Sequence, residues 1–274
     1  QMSELTRIAT NIQAMQNMNS LSLISDRMAT HQMRLATGKK INSAADDPAG
    51  YQLARSLETR KRGLDVALQN VSQAKNVLNV AEGGYQNVMD ILQTVKEKAT
   101  QAADYSLSTT QRTAINNQVT TLVAEIEDIV TETTFNGAKL IDGTYSGAFH
   151  TGEGGTDELT VTLGDSDSAA LSINSISLAT ANGASSAIAT VSTAIDTLAG
   201  KVQNVGEYKV RLASKEQSLS VASTNTEAIR SSVEDADFAK EQMEVMKLQI
   251  LQQTAISSFS QSNSSPQVVL SLFR

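Results

Sequence analysis

The chain is poor in residues that do chemistry. Its only imidazoles are His31 and His150, and it has no cysteine. Zinc centres draw three or four ligands from His, Cys and carboxylates, so a multi-histidine or thiolate site is excluded, as are disulfides. Asp165-Ser166-Asp167 has the acid spacing that opens a calcium loop, but the twelve-residue run with an internal Gly and a closing Glu does not follow. Serine and aspartate are abundant, yet no G-x-S-x-G elbow, phosphate loop or H-E-x-x-H is present. These patterns point away from an enzyme, a metal site and a cofactor. A net charge of −7 disfavours nucleic acid, whose phosphates need a basic face. No run reaches the roughly 18 apolar residues of a membrane span, so membrane insertion is not expected. The first thirty residues lack the basic start and apolar run of a cleavable signal, so export would need another route.

What the residues do specify is helix packing. Aromatics are only 4% of the chain, so core volume must come from aliphatic residues and alanine. Steps of three and four from Leu64 land on Ala67, Val71, Ala74, Leu78, Ala81, Tyr85, Val88, Leu92, Val95, Ala99 and Ala102. This heptad stripe predicts a coiled-coil-like helix whose seam is about 60 Å long. Gly83 and Gly84 interrupt it, at about 1 kcal/mol each relative to alanine. A second stripe runs through Ile115, Val119, Leu122, Ile126 and Ile129. A third runs through Ile188, Val191, Ile195, Leu198, Val202, Val205, Leu212 and Leu219. Three such helices make a bundle. Asp47 reads as an N-cap with Pro48 at the first helical position. Glu58 and Arg62 are spaced as an i,i+4 pair, and Arg60-Lys61-Arg62 reads as a solvated face.

Between Asp142 and Ala187 the helical pattern stops. Leu159 to Leu163 and Leu171 to Ile176 alternate as short strands, and Asn136-Gly137 and Asp142-Gly143 read as turns. No Lys or Arg lies between Lys139 and Lys201, while seven acids do, so this part is expected to face water.

The two ends carry another signal. Ile8 to Ser25 and Leu248 to Phe273 contain no charged residue. Apolar positions Ile8, Ile12 and Met15 near the start, and Val245, Leu248, Leu251, Ala255, Phe259, Val269 and Leu272 near the finish, nominate a self-association surface. Solvated helices of a monomer normally carry charge. Buried amides and hydroxyls find partners, whereas an unpaired buried charge costs several kcal/mol. The expectation is that the N- and C-terminal segments pair, and order only on self-assembly.

Several blocks resemble the bacterial flagellin family. Leu35-Ala36-Thr37-Gly38-Lys39-Lys40-Ile41-Asn42-Ser43-Ala44-Ala45-Asp46-Asp47-Pro48-Ala49-Gly50 is similar to its L-S-S-G-x-R-I-N-x-A-x-D-D-x-A-G block. Phe135-Asn136-Gly137-Ala138-Lys139-Leu140 resembles its F-N-G-x-K-L turn. Val233 to Glu241 resembles I-x-D-x-D-[YF]-A-x-E, and Gln249 to Ala255 and Pro266 to Arg274 resemble its closing segments.

The resemblance implies a mainly α fold: a long helical bundle or coiled-coil rod with a small β-hairpin region, and N- and C-terminal helices paired in an assembled filament core. Residues 1–46 and 232–274 would supply the core domain. Residues 47–231 would form the rod domain, with a hairpin or variable segment at about 138–182. The implied role is a subunit of the secreted, extracellular flagellar filament, a homopolymer and helical propeller, exported unfolded by the flagellar type III apparatus. The implied partners are further copies of the chain, an export chaperone, a cap and hook-filament junction proteins. A junction protein is itself the alternative reading, since it resembles flagellin at both ends. Leu92 to Lys98 stands where flagellins seen by the innate immune receptor resemble L-Q-R-V-R-E-L. Here Thr94 replaces the Arg and Lys98 the closing Leu, and Gln118 stands where Glu is usual. Losing the guanidinium fork implies weak receptor activation.

Overall fold

The computed structural model describes residues 10–271, with side chains to residue 264. Five helices run in the order α1 (Ile12–Thr37), α2 (Pro48–Ala102), α3 (Thr109–Glu132), α4 (Ala181–Glu234) and α5 (Phe238–Ser271). Four short strands, β1 (Thr134–Phe135), β2 (Ala138–Lys139), β3 (Ser146–His150) and β4 (Glu158–Thr162), lie between α3 and α4. The chain divides into two compact units. One runs from 60 to 224; the other combines the residues up to 59 with those from 225 on.

In the 60–224 unit the long stripe is the core. All twelve positions from Leu64 to Ala102 are buried, the most exposed at 3%. Ile115, Val119 and Ile126 of α3 and Val191, Leu198, Val205, Leu212 and Leu219 of α4 join the same cluster. The remaining stripe residues, among them Leu122, Ile129 and Ile195, pack at its edge. Facing side chains fix α2 and α4 as antiparallel. Lys75 pairs with Glu216, Lys209 with Glu82, and Ser223 Oγ donates to Asp65 at 2.9 Å. The polar residues Lys209 and Glu216, which interrupt the α4 stripe, are therefore cross-helix partners.

The helix ends follow from local chemistry. Ser108 and Gln111 form a reciprocal capping box at α3. Arg112 ties the α2–α3 loop down through Ala102 O (2.9 Å) and Asp104 O (2.5 Å). Asp47 Oδ1 accepts from Gly50 N at 3.0 Å and Pro48 opens α2, matching the expected cap. Glu58 meets Arg55 at 2.6 Å, Arg60 reaches Glu153 at 2.9 Å, and Lys61 lies 3.5 Å from Asp65. The expected solvated face thus carries contacts within the chain.

α2 runs unbroken through both glycines, and they differ in kind. A Cβ on Gly83 would meet nothing within 4 Å, whereas one on Gly84 would lie 2.7 Å from Thr133 and 3.0 Å from Ile141. Gly84 permits close approach of the chain leaving α3.

The middle segment departs from expectation in two ways. Leu159 to Thr162 of the expected strand do lie in one, β4, with Leu163 just beyond its end, and its antiparallel partner is β3, with Ser146 opposite Thr162 and His150 opposite Glu158. Leu171 to Ile176 is a series of turns. Leu171 N bonds back to Asp167 O, Asp167 Oδ1 takes Ala170 N, and Ser172 adopts φ 58°. Ser168 N and Leu178 N are satisfied by Glu127 Oε1 and Asn116 Oδ1 of α3, both at 2.8 Å. Side chains of α3 thus replace a ladder. The alternation survived only in burial: Leu171 and Ile173 point inward at 3% and 1% exposure. Nor does the segment simply face water, because Leu159, Val161, Leu163 and Leu178 are buried in the helical core. The Asn136-Gly137 turn closes the β1–β2 hairpin, with φ of 51° and 82°.

The candidate assembly surface

The second unit is built around an elbow and a helix pair. The elbow residues are those of the flagellin-like blocks. α1 ends on left-handed Gly38 (φ 71°), and the returning chain crosses the α4–α5 link: Lys40 N donates to Glu234 O (2.8 Å) and Ala236 N to Gly38 O (2.9 Å). Glu234, only 4% exposed, sits between two cations, with Lys39 Nζ at 2.6 Å and Arg230 Nη1 at 2.7 Å. Its two oxygens therefore tie the end of α4 to the segment that follows α1. Asp46 folds the intervening loop by accepting from Asn42 N and Ser43 N, bonds that hold its carboxyl below the ordinary range, Ser43 contributing most. Asp237 caps α5 through Ala239 N and Lys240 N. A Cβ on Gly50 would lie 2.5 Å from the capping Asp47 and 2.7 Å from buried Ile41, which explains a glycine there.

From this elbow α1 and α5 run antiparallel. Asn11 Nδ2 donates to Ser262 O (2.9 Å), and Asn17 Nδ2 to Ser262 Oγ (2.6 Å) and Ser258 O (3.3 Å). At the elbow end His31 pairs with Glu241, and Arg34 Nη1 lies 3.7 Å from the same carboxylate. Uncharged amides and hydroxyls hold the charge-free ends, and ions hold the charged ends. The two segments therefore pair within a single chain.

Burial within the pair is slight. Ala14 is the one buried residue of α1, and among the described side chains of α5 only Glu241, Val245 and Leu248 are buried. The nominated positions divide accordingly. Val245 and Leu248 are consumed inside the chain, while Ile12, Ala255 and Phe259 are half-buried. Met15 and Leu251 are free at 60% and 42% exposure. Ile8 and Leu272 lie outside the described residues, as does the side chain of Val269.

Further apolar side chains, outside the nominated positions, stand exposed on both helices. Met18, Leu23 and Met33 on α1, and Met243, Met246, Ile250 and Ile256 on α5, are exposed by 48–67%. Charge-free stretches with apolar residues all round were the available signal, since such helices belong in an interior. Exposed large apolar side chains in this number make the α1–α5 pair the candidate interaction site. Among the described residues there is neither a cluster of metal ligands nor a helix long and apolar enough to cross a membrane. Thr94 and Lys98 are half-buried on α2 in the other unit, one turn apart, with Thr94 Oγ1 donating to Asp90 O at 3.0 Å. Gln118 is exposed on α3.

Comparison with known proteins agrees with the blocks. Residues 8–146 match the model of the bacterial flagellin N-terminal helical region, and residues 188–273 that of the C-terminal helical region. The chain is 31% identical to flagellin FlaB1 of Treponema pallidum, over 88% of this chain and 90% of that one. It is 30% identical to flagellin of Listeria monocytogenes, over 97% and 99% of the two chains. Bacillus subtilis flagellin matches at 29% over 98% of this chain and all of its own. A solved structure described as a flagellar hook-associated protein of Vibrio parahaemolyticus covers 69% of this chain at a TM-score of 0.59 and 13% identity, a likeness of fold alone. The chain belongs to the bacterial flagellin family, the structural subunits of the flagellar filament.

Proposed function

We propose that the exposed faces of α1 and α5 are covered by further copies of this chain, and that this burial drives filament growth. One observation carries the reading: two helices, nearly free of charge beyond the elbow, bury almost nothing of their own and present large apolar side chains to water. A second copy is the fitting occupant, because a chain of this family repeats along its polymer. In this reading the pair is marginal alone, since few buried contacts oppose a backbone ordering cost of about 1 kcal/mol or more per residue. Ile8, Val269 and Leu272, nominated by sequence alone, are proposed to take part in the same self-association.

The finer role follows from family membership. The chain acts mechanically and without catalysis, leaves the cell through the flagellar type III apparatus, and meets an export chaperone, a cap and hook-filament junction proteins. Residues 1–46 and 232–274 form the core domain and 47–231 the outer helical one. Thr94, Lys98 and Gln118 weaken recognition by the innate immune flagellin receptor; reporter potency equal to that of a strongly activating flagellin overturns that part.

Seeded polymerisation tests the main claim. Full-length monomer added to short filament seeds yields long uniform filaments in negative stain, and a chain lacking residues 248–274 does not. A full-length chain that stays monomeric with seeds at high salt overturns the reading.

A further inference from the structure

The chain has neither Cys nor Trp and eight Met. The thioethers are therefore its most readily oxidised side chains. Their placement is uneven. Met15, Met18, Met33, Met243 and Met246 are 48–60% exposed, and all lie on α1 or α5. Met28 and Met89 are half-buried. Core methionines normally fill gaps; here five of eight stand on one unpartnered pair of helices.

We propose that these five methionines form an oxidation-sensitive site, and that a peroxide acting on the unassembled chain blocks polymerisation. The proposal rests on the assembly reading above. A sulfur lone pair attacks one oxygen of hydrogen peroxide and the O–O bond breaks. The thioether loses two electrons to become a sulfoxide, and the departing hydroxide takes up the proton to leave as water. The product is slightly larger and carries a strong acceptor oxygen; Met15 and Met18 lie in the charge-free stretch from Ile8 to Ser25, whereas Met33, Met243 and Met246 have Arg34, Lys240 and Lys247 close by in sequence. At Met15 and Met18, where no charged donor is near in sequence, burying that oxygen unpaired weakens the contact by about tenfold or more for each sulfoxide. In the assembled state the same sulfurs are covered, so oxidation discriminates between free and polymerised chain. Repair needs no new synthesis, because sulfoxide reductases return each epimer to the thioether.

The test uses full-length monomer, seeds, hydrogen peroxide and the five-fold Met→Leu variant at positions 15, 18, 33, 243 and 246. Leucine conserves volume and apolarity but has no oxidisable sulfur. Because the five positions lie on the contact face, each protein's treated rate is read against its own untreated rate; failure of untreated wild type to elongate seeds overturns the assembly reading itself, not this one. Peroxide lowers wild-type elongation by about tenfold or more, sulfoxide reductase restores it, and peroxide leaves the variant's rate at that variant's own untreated value. Peptide mass spectrometry finds oxygen on the five sites in treated monomer and several-fold less in treated filament. Equal peroxide sensitivity in variant and wild type, or full elongation by oxidised wild type, overturns the proposal. An untreated variant that fails to elongate is replaced by single Met→Leu changes, each of which must remove part of the sensitivity.

Discussion

Ile250 and Val245 lie five residues apart on α5 and make opposite predictions. Ile250 is 67% exposed in the single chain, Val245 only 6%. Ile250→Ala removes about three carbons, worth about 0.8 kcal/mol each when fully buried. Two thirds of that is still unclaimed in the monomer, so assembly loses about 1.5 kcal/mol per chain. That is about a tenfold rise in the critical concentration, since about 1.4 kcal/mol is tenfold. The monomer's own urea midpoint should not move, because the side chain packs little there. Val245→Ala should do the reverse first: it opens the α1–α5 seam at a cost of about 1–3 kcal/mol, seen as lost monomer helicity in circular dichroism. Critical concentrations come from pelleting a dilution series against fixed seeds. If Ile250→Ala left the critical concentration unchanged, the exposed face would not be the contact.

Three further predictions address the scaffold. Gly83→Ala should stabilise the chain by about 1 kcal/mol and Gly84→Ala should destabilise it, since only the second Cβ meets Thr133 and Ile141; thermal melts of the two variants decide this. Glu234→Gln removes the charge between Lys39 and Arg230 and should cost about 2 kcal/mol, below the cost of a fully buried pair because both cations reach water. Glu227→Gln, at a more exposed pair with Arg230, should cost under about 1 kcal/mol in the same urea titration. Tyr85 is fully buried and donates to Gly164 O at 2.7 Å, and burial pushes its phenol up to about 12. The neutral form is the one the folded state favours, so its contribution is intact below pH 10 and is lost as pH rises toward 12. Tyr85→Phe should be about 1 kcal/mol less stable than wild type at pH 8, and that gap should close by about pH 11.

The helical core was legible because burial on a helix is periodic. Every position of the Leu64–Ala102 stripe is buried, and the caps at Asp47 and the turn at Asn136-Gly137 are local chemistry written in adjacent residues. Segment 164–180 was not legible. Its Leu171 and Ile173 alternate like a strand, but their N–H groups bond to the turn's own carbonyls at Asp167 and Ser168, and the flanking Ser168 N and Leu178 N bond to the distant side chains of Glu127 and Asn116, all invisible to a period-two pattern. The assembly face was half legible. Missing charge marked the right segments, but tracing one stripe selected Val245 and Leu248, which the chain uses internally. The exposed set, Met18, Met33, Met246 and Ile250 among them, lies off that stripe and shows only once α1 is docked on α5. The Glu234 hub joins residues some 195 positions apart, beyond the reach of any local pattern.

Hydrogen exchange on the free chain and the filament tests the central claim most directly. Assembly-driven burial predicts that amides of residues 12–37 and 238–264 exchange rapidly in the monomer, and at least about a hundredfold more slowly in the filament, while those of 64–102 are protected in both. Equal protection of the α1–α5 pair in monomer and filament would contradict it.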